Sequence, residues 1–107
     1  MFPTYEDIEL PLLRELIRRG GSSRPSARDA AGRTVYDVLA DVFHLTEAER
    51  EEEFMDNGKP RFRWENMVRW AKRKLKDHGH LDAPEYGQWE VTPQGRAFVE
   101  ARARRRR

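Results

Sequence analysis

The 107-residue sequence predicts a mainly α-helical domain with one small β-hairpin. Three observations lead there. Threonines followed by acids and then by apolar residues at helical spacing mark helix starts. One long amphipathic segment carries a cationic outer face. A short alternating run bounded by Gly and Pro follows it directly.

The first helix is expected to open after Thr4, whose hydroxyl can cap the amide of Asp7, with the Asp7 charge favourable at a helix start. Ile8, Leu12, Leu13, Leu16 and Ile17 recur on one face. Pro11 has no amide hydrogen, so it is expected to start a new segment or kink the helix. Gly20-Gly21 closes it. Residues 22–33, rich in Gly, Pro and Ser, predict a loop with one short strand near Arg24. Thr34 opens a second helix with Val35, Val38, Leu39, Val42 and Phe43 as its buried stripe. Thr46-Glu47-Ala48-Glu49 repeats the capping pattern and predicts a short acidic helix to about Phe54. Asp56-Asn57-Gly58-Lys59-Pro60 reads as a turn.

A helix from about Arg63 to His78 follows. On a helical wheel Trp64, Met67, Val68, Ala71 and Leu75 share the core side. Asn66, Arg69, Lys72, Arg73 and Lys76 share the other, and Trp70 falls on the border, where packing at the core edge is expected. After Gly79, Leu81-Asp82 and Gln88 to Val91 around a turn at residues 83–87 predict the hairpin, with Trp89 and Val91 inward. Thr92-Pro93 caps a last helix through Phe98 and Val99. The domain is therefore expected over residues 1–99, with a basic, disordered tail over 100–107. A basic helix followed directly by a small hairpin predicts a winged helix-turn-helix, with the basic helix in the major groove of double-stranded DNA.

Charge segregation supports that reading. Residues 34–58 carry one basic and eight acidic side chains, whereas residues 59–80 carry eight basic and two acidic. A basic stretch within a nearly neutral chain is the footprint of a polyanion-binding element. The acids from Glu47 to Asp56 read as a solvated face that would repel DNA and so orient the domain. The competing reading is a protein-interaction or transcription-regulatory module in which 34–58 docks a basic partner or a second copy.

The chain has no cysteine, which excludes disulfides and thiolate metal sites. His78 and His80 without further ligands do not make a metal site. No apolar run is long enough to span a membrane and no secretory leader is visible, so a soluble, cytoplasmic protein without cofactor or metal is expected. No nucleophile, base and orienting group converge, so no catalytic residue is assigned.

Several stretches in order carry a resemblance: Pro3-Thr4-Tyr5, Leu10-Pro11-Leu12-Leu13, Gly58-Lys59-Pro60-Arg61-Phe62, Asn66 through Ala71, Leu75, Gly79-His80-Leu81, Gly87-Gln88-Trp89 and Thr92-Pro93-Gln94-Gly95. Together they resemble the amino-terminal winged-helix domain of Mrr-type restriction endonucleases. The resemblance implies a DNA-recognition module of systems that attack DNA with modified bases. It also implies a partner nuclease, because the Asp-x-Lys or Glu-x-Lys tripeptide of the nuclease half does not occur in these residues. A free-standing recognition protein and a fragment ending at a linker both fit, as does a homodimer. In that family the hairpin turn often carries a basic residue. Residues 81–95 here have none, so contact from the wing would fall to Tyr86.

The residues expected at DNA are thus Lys59, Arg61, Arg63, Asn66, Arg69, Lys72, Arg73, Lys76 and Tyr86. Asn66 has the donor-acceptor pair that matches adenine N6 and N7, Arg69 or Arg73 could match guanine, and the cations neutralise phosphates. Phe62, Trp64, Trp70 and Tyr86 are the aromatics near this surface through which a methylated base could be sensed.

Overall fold

The computed structural model describes residues 1–105, and the end of the basic run, Arg106 and Arg107, lies outside them. Its fold is mixed, with five helices and two small antiparallel sheets among the described residues. Three helices begin at the expected threonines: α1 (Tyr5–Arg18), α2 (Val35–Val42) and α3 (Glu47–Glu51). In each, the threonine hydroxyl accepts from the amide three residues on at 3.1 Å. The acid at that third position accepts in return from the threonine amide. Each cap offsets exposed helix-end amides by about 1 kcal/mol.

Pro11 does not start a new segment, because α1 runs through it as a single helix. A proline inside a helix costs about 3 kcal/mol. Ile8, Leu12, Leu13 and Leu16 are fully buried on this helix, each contributing roughly 1.5–3 kcal/mol, and that burial outweighs the loss. Gly20 and Gly21, both at φ +98°, end α1, and the Gly21 amide bonds the Leu16 carbonyl at 2.8 Å.

The buried face of α2 also differs from the expected stripe. Val35, Tyr36, Leu39 and Ala40 point inward, while Val42 is half exposed and Val38 only partly buried. The helix is two turns long and is clamped between α1 and the next long helix, so its facing side is set by the neighbours. The acidic helix is shorter than expected. After Glu52 the chain turns extended as β2 (Glu53–Asp56) and pairs with β3 (Lys59–Phe62). Asn57 and Gly58 join them, both with positive φ, the conformation that a two-residue type I′ hairpin requires.

The hairpin delivers the chain to α4 (Arg63–Asp77), which has no side-chain cap. Its first amide, that of Arg63, bonds the Glu52 carbonyl at 2.9 Å instead. Trp64, Val68, Ala71 and Leu75 of α4 are buried against α1 and α2, and Met67 packs at the edge of this core. Beyond Gly79 come β4 (Leu81–Glu85) and β5 (Gln88–Val91). Pro84 sits where their register shifts, the place where a strand tolerates a missing donor. The short β1 (Ser22–Ser23) adds to the other side of β5, giving a sheet ordered β1-β5-β4 with Trp89 and Val91 facing the core.

The last helix, α5 (Pro93–Arg105), starts at Thr92, whose hydroxyl accepts from the Gly95 amide at 3.0 Å and donates to the Gly79 carbonyl at 2.6 Å. It continues past Val99, so the basic residues Arg102, Arg104 and Arg105 form its last turn. No helix among the described residues is long and apolar enough to cross a membrane.

Gly95 is the tightest point of this junction. A Cβ built there would lie 2.1 Å from the His80 carbonyl oxygen and 2.9 Å from Val91 Cγ1. Glycine to alanine inside a helix ordinarily gains about 1 kcal/mol. Here the clash is with backbone, so Gly95→Ala is expected to lower stability by about 1–3 kcal/mol. Urea unfolding of the two proteins measures the sign.

Candidate nucleic-acid interface

The rotation of α4 about its axis decides which side chains are offered to solvent. Trp64 anchors it: its indole N–H donates to the Tyr36 carbonyl at 2.9 Å in the core, and Phe2 and Phe43 rings pack on it at 6.4 and 6.0 Å. With Trp64 and Val68 inward, Asn66, Arg69, Trp70, Lys72 and Arg73 line a shallow surface depression of about 260 Å³. Trp70 is thus corrected from the core edge to the outer face, 46% exposed. At about 100° per residue it stands some 40° from Asn66 and 60° from Arg73, so the wheel itself contained this signal.

A second, larger groove of about 430 Å³ opens between α4 and the β4–β5 hairpin. Arg69 and Lys72 form its helix wall, Glu85, Tyr86 and Gly87 its hairpin wall, and Tyr36 and Trp89 lie between. Arg69 and Lys72 line both concavities, so helix face and hairpin form one continuous surface. Tyr86, at the hairpin turn, is almost fully exposed.

The structure therefore brings together Asn66, Arg69, Lys72, Arg73 and Tyr86. Lys76 is exposed on a later turn of α4 and lines neither concavity. Lys59 lies exposed where the β2–β3 hairpin leaves its turn. Arg61 pairs with Asp56 at 2.9 Å, and Arg63 pairs with Glu52 while its guanidinium stacks 5.4 Å from the Phe54 ring centre. These two cations are partly used within the fold. Arg69 has only a distant carboxylate, Glu65 at 3.8 Å, and a long contact of 3.4 Å to the Tyr36 hydroxyl.

Half of the eight carboxylates of the acidic segment are paired within the chain. Asp41 binds both Arg33 and Arg50, Glu49 the N-terminal amine, Glu52 Arg63, and Asp56 Arg61. At the opposite end of α4, His78 lies 4.0 Å from Glu9 and His80 stacks on Phe98 at 4.7 Å. Burial pushes the Glu9 carboxyl above its ordinary range, with the His78 charge opposing. No group of three or more His, Asp or Glu side chains among the described residues is placed to hold a metal ion.

A family model described as Mrr N-terminal domain matches residues 5–101 of the chain. No curated protein and no solved structure matches it.

The cationic face has an internal strain that can be measured. Burial pushes the Lys72 ammonium below the ordinary lysine range, and the charges of Lys76, Arg73 and Arg69 push it the same way. A lysine whose folded pKa is depressed destabilises the fold while protonated, and the penalty fades as pH rises through that value. The Lys72 amine also sits 5.6 Å from the Trp89 ring centre, which partly offsets the repulsion. Lys72→Met keeps the apolar stem and removes the charge. It should raise the melting temperature by about 1–3 °C at low salt, from like-charge terms of a few tenths of a kcal/mol each. Thermal unfolding at low and high salt checks this, since the gain should shrink with screening.

Proposed function

Because the chain belongs to the Mrr N-terminal domain family, we propose that it is a winged helix-turn-helix module that binds double-stranded DNA for a restriction system. In this reading α4 is the recognition helix and the β4–β5 hairpin the wing. The observation that carries it is the continuous surface from Asn66 and Arg73 across Arg69 and Lys72 to Tyr86. Among the described residues Lys72 and Arg73 have no ion-pair partner, and Arg69 only the one at 3.8 Å. Cations left unneutralised beside an amide and an aromatic suit a polyanion with readable edges.

The roles follow from the side-chain chemistry. Arg69, Lys72 and Arg73 neutralise phosphates, and Asn66 offers an adenine edge its paired donor and acceptor. Lys59 and Lys76 add charge at either side, while Arg61 and Arg63 hold the β2–β3 hairpin. The protein-docking alternative draws less support from the acidic segment, because half of its eight carboxylates, those of Asp41, Glu49, Glu52 and Asp56, already face cations of the same chain. The module recognises and a separate nuclease domain or protein cuts.

Duplex binding by the full chain should weaken with salt at a log–log slope of about −4 to −5, as four to six phosphate contacts require. Arg69→Glu with Arg73→Glu should abolish it while circular dichroism and melting stay near the parent's, since neither residue is in the core. The basic end of the chain is unchanged in this variant, so parent-like binding by it would move the interface elsewhere.

Base modification is the finer question. Trp70 beside Asn66 supplies an apolar surface of the kind that touches a thymine methyl in the major groove. A duplex carrying 5-methylcytosine or N6-methyladenine should compete better than its unmodified twin, and Trp70→Ala should erase the difference. Equal competition by all three duplexes would leave a plain DNA-binding module.

A further inference from the structure

The hairpin that this reading uses as a wing has no basic residue of its own, and three acids, Asp82, Glu85 and Glu90, lie on it. A wing of that charge would repel a phosphodiester backbone. The tertiary structure supplies a cation from elsewhere. Arg24, directly after β1, extends its guanidinium to the turn, where Nη1 lies 3.6 Å from the position a Cβ would take at Gly87.

Its backbone is held firmly. β1 pairs with β5 through Ser22 and Ser23, and the Gln88 side chain binds the Ser22 hydroxyl. The Arg24 carbonyl accepts from the Ser23 hydroxyl at 2.9 Å and from the Ala27 amide at 3.1 Å. The neighbouring Pro25 carbonyl accepts from the Val35 amide at 3.0 Å, which ties the loop to α2. The side chain itself is exposed and has no hydrogen bond or ion pair among the described residues. Pro25 lines the groove between hairpin and α4 alongside Arg69, Lys72 and Tyr86.

We propose that Arg24 is the cation of the wing, and that the groove between α4 and the hairpin seats one phosphodiester strand between Arg69 and Lys72 on one wall and Arg24 with Tyr86 on the other. The proposal rests on the DNA-binding reading above and adds to it a residue far from the basic helix in sequence. A free guanidinium on an anchored backbone contacts phosphate without giving up an existing partner, at the cost of ordering its own side chain. Glu85 on the same wall opposes the strand and limits affinity.

The test uses the full chain and a random-sequence duplex titrated over a range of salt. Arg24→Ala should bind about five- to tenfold more weakly near 0.1 M salt and lower the magnitude of the salt slope by about 0.9, the signature of one lost phosphate contact. Arg24→Lys should restore the slope, and Glu85→Gln should tighten binding. Melting temperatures of all three should match the parent's. The Arg69→Glu, Arg73→Glu double variant serves as the reference. If it loses binding while Arg24→Ala keeps the parent's affinity and slope, the Arg24 contact is overturned and the helix interface stands. If Arg24→Ala weakens binding with an unchanged slope, the residue acts through loop geometry and the phosphate contact is likewise overturned. If neither variant differs from the parent, both this contact and the DNA-binding reading fall.

Discussion

A single buried hydrogen bond, from the Trp64 indole to the Tyr36 carbonyl, sits where the two halves of the molecule meet. An indole N–H buried without a partner would cost about 1–3 kcal/mol, so Trp64 can turn inward only where an acceptor waits. The α2 backbone provides one, and the Phe2 and Phe43 rings fill the space beside it. Once that first turn of α4 is held, helical geometry carries Val68, Ala71 and Leu75 inward and Asn66, Trp70 and Arg73 outward over three further turns. The rest of the outer surface inherits its orientation from this anchor.

The distribution of charge follows a consistent division between structure and surface. Cations near the α1 end are consumed by the fold. Arg18 and Arg19 converge on Glu15, and Arg19 also binds the carbonyls of Ala27 and Arg33. Burial alone would push the Glu15 carboxyl up, yet hydrogen bonds and charge from the two arginines outweigh it and hold it below its ordinary range. Asp29 is held at about 2 by the Arg33 amide and the Arg18 guanidinium, so it stays ionised wherever the domain is used. The outer face of α4 does the opposite, crowding cations with little to balance them. Surfaces that carry such uncompensated charge trade stability for binding.

The loop from Arg24 to Arg33 links these two regimes. Its middle is fastened to the end of α1 through Asp29, Arg18 and Arg19, and its first residue directly follows β1 of the hairpin sheet. Core helices and hairpin are therefore coupled by side-chain hydrogen bonds at the α1 end and by backbone pairing at β5. Thr92 makes a second coupling, joining the end of α4 to the start of α5.

Much of this was written locally in the chain. Thr4, Thr34, Thr46 and Thr92 mark helix starts because a hydroxyl three residues before an orphan amide is a short-range interaction that needs no other part of the protein. The core stripe of α4 and the inward Trp89 and Val91 follow from the helix and strand periods alone. The β2–β3 hairpin was legible too, in Asn57-Gly58, but the glutamates before it have better helix than strand propensity and mask the signal. Tertiary structure decided what propensity cannot express. It carried α1 through Pro11 as a single helix, because burial of Ile8 before it and of Leu12, Leu13 and Leu16 after it outweighs one missing hydrogen bond. It chose Tyr36 and Ala40 over Val38 and Val42 for the core, because a two-turn helix faces whatever it is packed against. It paired Ser22 and Ser23 with Trp89 and Glu90, and so set Arg24 beside Gly87. Contacts between residues more than sixty positions apart depend on how helices of fixed length stack, and that information is spread over the whole core and resides in no local motif.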